Sequence, residues 1–227
     1  VKPALLLAAV CTLAAAQPKI YYSKSFPESQ PAYVSIEVDK TGAAIFNDAP
    51  GGPDPIKFQL EPEEAAAIFQ LAEKLDYFRR PLESNLKVAR MGDKTFRYFE
   101  GDTKGEAKFN YTLDLDGQAL LDWFERMSET VMHVINLERT ARFDRLGVDK
   151  AVLQLQISAE RGRLVGARQL LPVLDRIAKN GVYINRARGR AAGLAEAIRS
   201  GKTLPEPQPP PAAQEPPAPE TPAPKPQ

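Results

Sequence analysis

Alternation of apolar and polar positions gives way to helical periodicity twice along this chain. Val34, Ile36 and Val38 alternate with Tyr33, Ser35 and Glu37, a turn follows at Asp39-Lys40-Thr41-Gly42, and Ala43 to Phe46 resumes the apolar run. This predicts a β-hairpin with one buried face. Gly51-Gly52-Pro53 reads as a loop and Ile56 to Leu60 as a third short strand. Pro62 then stands where a first helical residue would, with Glu61, Glu63 and Glu64 near the positive end of the helix dipole. The stripe Ala65, Ile68, Leu71, Ala72, Leu75, Phe78 predicts a helix that ends before Pro81.

The same order repeats. Thr95 to Phe99 and Ala107 to Leu113 form a second hairpin about a Gly101 to Gly105 turn, and Asp116-Gly117 opens a longer helix with the stripe Leu120, Phe124, Met127, Val131, Val134, Ile135. Beyond Glu138 only helical signals remain: Val148 to Ala159, Leu171 to Lys179 with Pro172 in its first turn and Gly181 after its end, and Asn185 to Arg199. The last of these carries a small-residue stripe of Ile184, Ala187, Ala191, Leu194, Ala195 and Ile198. The fold class expected is α+β, an antiparallel sheet with helices on one face, followed by a helical C-terminal part and a disordered tail.

Both ends read differently from this core. Residues 1–16 carry Lys2, an apolar run from Ala4 to Leu13 and the small triplet Ala14-Ala15-Ala16, the layout of a cleaved secretory signal peptide. That run is too short for a permanent bilayer span, so no transmembrane segment is expected in the mature chain. The expected location is secreted or periplasmic. The only cysteine, Cys11, falls inside this segment, so the mature protein has no disulfide framework and must be held by its core. Residues 201–227 form the tail: Thr203 to Gln227 holds 11 prolines in 25 residues and little that is apolar, which predicts a solvated polyproline-II spacer. The organisation expected is thus a signal peptide at 1–16, an α+β domain at 17–138, a helical extension at 139–200 and the tail.

The segment Pro31-Ala32-Tyr33, the strand after it, the Gly42 turn, Phe58-Gln59-Leu60-Glu61-Pro62-Glu63-Glu64 and the helix ending Leu75-Asp76-Tyr77-Phe78 resemble uncharacterised domains of secreted bacterial proteins. The likeness continues through the second hairpin to the helix with Leu120, Leu121 and Phe124. It is a likeness of layout, and it implies no activity and no functional residues.

Most familiar chemistries lack their residues. His133 is the only histidine, so a zinc site of the usual His/Cys kind has no ligand set. It falls on a polar helix face with Asp122, Arg126 and Glu129, where a solvated surface histidine is expected. Asp114-Leu115-Asp116-Gly117 fits a helix cap better than a calcium loop, because the register that suits Gly117 ends on Trp123. No P-loop, dinucleotide fingerprint, G-x-S-x-G or H-E-x-x-H occurs, and no cofactor is expected. Carboxylates brought together by the fold, as in a hydrolase of the envelope, leave no spacing in sequence and stay open as an alternative. Asn110-Tyr111-Thr112 matches a glycosylation sequon within an expected strand and receives no role.

Charge changes the picture most. With 30 Lys+Arg against 29 Asp+Glu the chain is nearly neutral, which excludes a uniformly basic nucleic-acid binder. Divided at Glu138, however, residues 17–138 hold 14 cations and 21 anions, net −7, and residues 139–200 hold 13 and 5, net +8. Eleven of those 13 cations are arginine, densest at Arg161, Arg163, Arg168 and at Arg186, Arg188, Arg190. Arginine forks suit phosphate and carboxylate, so these six are the candidate anion- or partner-binding residues. Three partners compete for them: the acidic part of the same chain, an anionic envelope component such as lipid head groups or acidic polymer, and nucleic acid. Export argues against the last, and only Tyr183 interleaves the arginines as a stacking surface. The function expected is a non-catalytic binding or scaffolding module of the cell envelope.

Overall fold

In a computed structural model describing residues 17–201, the chain runs through β1 (Lys19–Ser25), β2 (Tyr33–Asp39), β3 (Ala43–Asn47), β4 (Ile56–Gln59), α1 (Pro62–Lys74), β5 (Asp93–Glu100), β6 (Thr103–Phe109), α2 (Leu115–Phe143), α3 (Val148–Glu160), α4 (Leu171–Lys179) and α5 (Asn185–Ser200). The expected signal peptide and the proline-rich tail beyond Gly201 lie outside the described residues.

The six strands make one antiparallel sheet in the order β4-β3-β2-β1-β5-β6. Its middle strand, β1, is the one element that the sequence pattern missed. Ile20-Tyr21-Tyr22 puts three bulky residues in a row and hides the alternation, yet Ile20 and Tyr22 are buried. Ile20 sits between Val38 and Tyr98, and Tyr22 between Ile36 and Phe96, so β1 joins the two hairpins through its register. The opposite face stays partly solvated and is laced by cross-strand contacts, among them Lys19 to Glu37 at 2.7 Å and the Tyr21 and Tyr33 hydroxyls at 2.9 Å.

Helices α1 and α2 cover the inner face. Pro62 opens α1, and a reciprocal capping box between Glu61 and Glu64 satisfies its first amides. The inward side differs slightly from the expected stripe: Phe69 is buried and Leu71 only half-buried. After Leu75, Asp76, Tyr77 and Phe78 take φ values of 53°, 49° and 67°, a left-handed turn that costs about 1 kcal/mol per residue. Burial of Phe78 against Phe96, with ring centroids 5.2 Å apart, offsets that cost. The turn also explains Gly105 on β6, where a Cβ would lie 1.9 Å from the Tyr77 carbonyl oxygen. The second hairpin is tighter than expected. Glu100 pairs with Thr103, leaving only Gly101-Asp102 in the turn, and β6 ends at Phe109.

Apolar side chains form two clusters. One lies between the sheet, α1 and the first half of α2, and the other among α3, α4, α5 and the second half of α2. Phe124 and Val131 belong to the first, Leu137 to the second. The boundary expected at Glu138 therefore falls inside a continuous 29-residue helix, which both clusters share.

Candidate functional site

The polar face of α2 is only partly open to solvent. Asp122, Arg126, Glu129 and His133 recur at helical spacing along it, and α3 with the loop after it closes over them. Arg163 from that loop donates to Asp122 at 2.5 Å and to Glu129 at 3.0 Å. Ser158 of α3 donates to Glu129 at 2.7 Å and lies 2.9 Å from His133 Nε2. The His133 side chain is only 15% exposed, which corrects the expected surface histidine. Helical periodicity marks a face as polar but not what packs on it.

These contacts set the charges. Burial alone would raise the Glu129 carboxyl, but the adjacent His133 ring, the Ser158 hydroxyl and the Arg163 guanidinium outweigh it and hold the pKa at about 2. Arg126 is buried, with its Nε unpartnered and its nearest carboxylate, Asp122, 3.7 Å away. Burial pulls its guanidinium below the ordinary arginine range, against the opposing pull of Asp122. The seam is completed by Thr130, whose hydroxyl donates to the Arg126 carbonyl and accepts from the Val165 amide.

A serine, a histidine and a carboxylate within contact invite a catalytic reading, and the geometry opposes it. In a nucleophilic triad the acid binds the ring nitrogen opposite the one facing the hydroxyl. Here Glu129 Oε1 lies 3.9 Å from the same Nε2 that meets Ser158. The hydroxyl proton points to Glu129, so His133 donates to Ser158 rather than activating it. A cleft of about 260 Å³ is lined by two carboxylate residues, Glu61 and Glu64. Burial raises the Glu64 carboxyl, against backbone donors that lower it. Both its oxygens accept from the Gly166 amide at 3.1 Å, and one also from the Glu61 amide. Glu61 is 38% exposed and paired with Arg168, so the cleft holds one buried carboxyl rather than two.

Four of the six candidate arginines are engaged by carboxylates of the same chain. Arg163 and Arg168 reach the acidic part, at Asp122, Glu129 and Glu61. Arg186 and Arg190 both bind Asp149, tying the start of α5 to the start of α3. Arg188 donates to the Ala178 carbonyl and closes the end of α4. Arg161 is exposed, and among the described residues no carboxylate pairs with it.

Five further cations of the helical part are without a carboxylate partner among the described residues. Among the described residues no ion pair reaches Arg139, Arg142, Arg145, Lys150 or Lys179. The first four flank the α2–α3 connection and the last ends α4. These stretches come together because Tyr183 Oη donates to the Ala141 carbonyl at 2.9 Å and Arg186 binds Asp149 at 2.5 Å. Residues 139–150 and 179–190 thus form one end of the helical part, with eight cations against Asp144 and Asp149. The sequence pattern marked Arg186, Arg188 and Arg190 at this end but missed Arg139, Arg142, Arg145, Lys150 and Lys179, which stand three or more residues from the next cation.

Asp114 caps α2, accepting from the Gly117 amide at 2.9 Å and pairing with Arg80 at 2.6 Å. Among the described residues no group of three or more His, Cys, Asp or Glu side chains is placed to hold a metal ion. The Asn110 amide is engaged in the loop before β5, with Met91 and Ala89. Among the described residues no helix is long and apolar enough to cross a membrane. No protein-family model, curated protein or solved structure matches this chain.

Proposed function

We propose that this protein is a non-catalytic binding module of the cell envelope, secreted or periplasmic, that docks on an anionic surface through the end of its helical part formed by residues 139–150 and 179–190. The observation that carries this reading is the set of five exposed cations there, Arg139, Arg142, Arg145, Lys150 and Lys179, with no carboxylate partner among the described residues. Cations already paired add little to an external encounter, whereas unpaired ones concentrated at one end create a directed field. The reading of residues 1–16 as an export signal supports the location.

The test compares the full chain with an Arg139→Ser/Arg142→Ser/Arg145→Ser variant, on an immobilised sulfated polysaccharide and on phosphatidylglycerol vesicles. These arginines are exposed and make no ion pair, so the variant keeps the wild-type melting temperature. At low salt its apparent affinity falls about tenfold, and molar salt removes most of the wild-type retention as well. Equal retention of both proteins, or no retention of the wild type on either support, overturns the reading.

A further inference from the structure

The end that carries these five unpaired cations also carries the two most exposed large apolar side chains among the described residues. Leu146 is 90% exposed and Phe143 77%, and Val182 and Ile184, 55% and 52% exposed, stand in the loop that Tyr183 fastens beside them. Single exposed hydrophobics are ordinary, but four at one end, two of them almost wholly in solvent, form a patch that needs an occupant. The connection holding Phe143 and Leu146 is not loosely built. The Asp144 amide donates to the Thr140 carbonyl at 2.8 Å, and the Gly147 amide donates to the Asp144 side chain at 3.0 Å. Directly behind it, Val148 is fully buried and anchors α3 in the helical core. The apolar pair is therefore held outward by hydrogen-bonded backbone.

Resting on the reading above, we infer that the anionic surface is a lipid bilayer, and that this end seats Phe143 and Leu146 among the head groups while the arginines grip phosphate. Charge complementarity chooses an anionic partner, and the apolar pair separates a bilayer from an acidic polymer. A hydrated polyanion offers phosphate or carboxylate to the guanidinium forks but nothing to a phenyl ring or an isobutyl group. A bilayer interface offers both within a few ångströms of depth. The order Arg142-Phe143-Asp144-Arg145-Leu146 interleaves the two kinds of contact, and the Arg142 guanidinium lies 6.0 Å from the centre of the Phe143 ring. Arginine held against its aromatic neighbour can keep its charge at head-group level while the ring goes deeper.

The experiment uses the full chain with vesicles of phosphatidylcholine alone, vesicles containing phosphatidylglycerol, and the immobilised sulfated polysaccharide. Wild type is expected to bind the phosphatidylglycerol vesicles and the polysaccharide but not the neutral vesicles. A Phe143→Ser/Leu146→Ser variant, altered only at exposed positions, keeps its melting temperature and its retention on the polysaccharide and loses about tenfold or more on the vesicles. In a Leu146→Trp variant, brominated phosphatidylglycerol quenches the added emission, measured against the single native Trp123. Unchanged vesicle affinity in the double Ser variant, or no quenching at position 146, overturns insertion while the anionic reading stands. Wild type bound to the polysaccharide but not to vesicles likewise overturns insertion, leaving a polymer or acidic protein as partner. Failure on every anionic support overturns both.

Discussion

Replacing Phe124 with Ala is expected to lower the free energy of unfolding by about 4 kcal/mol. Phe124 is fully buried where α2 crosses the sheet, with ring centroids 5.0 Å from Tyr22 and 5.8 Å from Phe96. Those two neighbours belong to the central strand and to the hairpin beside it, so the lost ring leaves a cavity at the join of the two halves of the sheet. Rigid aromatic walls do not collapse readily into such a space. Because α2 also carries Leu137 into the helical cluster, the loss extends beyond the sheet. Urea titrations followed by far-ultraviolet circular dichroism, and hydrogen exchange of α5 amides, are expected to fall together in the variant. A loss below about 1 kcal/mol would show that α2 and the sheet are not mutually dependent. Unchanged protection in α5 would show that the two clusters unfold separately.

Glu129→Gln is expected to cost about 2 kcal/mol at neutral pH, a value reduced from that of a fully buried pair because the carboxylate is partly exposed. The substitution leaves Arg163 with Asp122 alone and removes the charge that faces His133. Its signature is in the pH dependence. Glu129 titrates near 4.5 when unfolded and at about 2 when folded, so its contribution is complete above pH 4.5 and is lost as the pH falls towards 2. The part of the stability gap between wild type and variant that Glu129's own titration sets should therefore be fully present at about pH 5 and narrow as the pH falls towards 2. A gap that stays the same at about pH 3 would remove the seam from the account of stability.

The hairpin from Tyr33 to Phe46 and the helices at 62–74, 148–160, 171–179 and 185–200 follow patterns complete within a short window: alternation, a proline at a helix start, a small-residue stripe. β1 does not. Its two inward residues are too few to signal a strand, and its place in the sheet comes from edges offered by β2 and β5, remote in sequence. The polar face of α2 was legible as polar, but its burial depends on Ser158 and Arg163, which arrive from α3 and the loop after it.

The arginines teach the same lesson about sites. Density along the chain pointed to 161–168 and 186–190, and most of those side chains bind carboxylates or carbonyls of the same molecule. Proximity of like charges in sequence says where cations are, not whether a carboxylate from another element answers them. The unpaired cations Arg139, Arg142, Arg145, Lys150 and Lys179 emerged only after the internal pairs were accounted for.

By itself the sequence determined the α+β class, the order of nearly all the elements, and the division of charge into a −7 part and a +8 part. These depend on local periodicity and on composition, which need no partner. The tertiary structure decided which strand lies in the middle of the sheet, that one helix serves two cores, and which cations and apolar side chains remain available to something outside the chain. Each of those depends on segments meeting that are far apart in sequence, and such meetings are set by packing rather than by any local pattern.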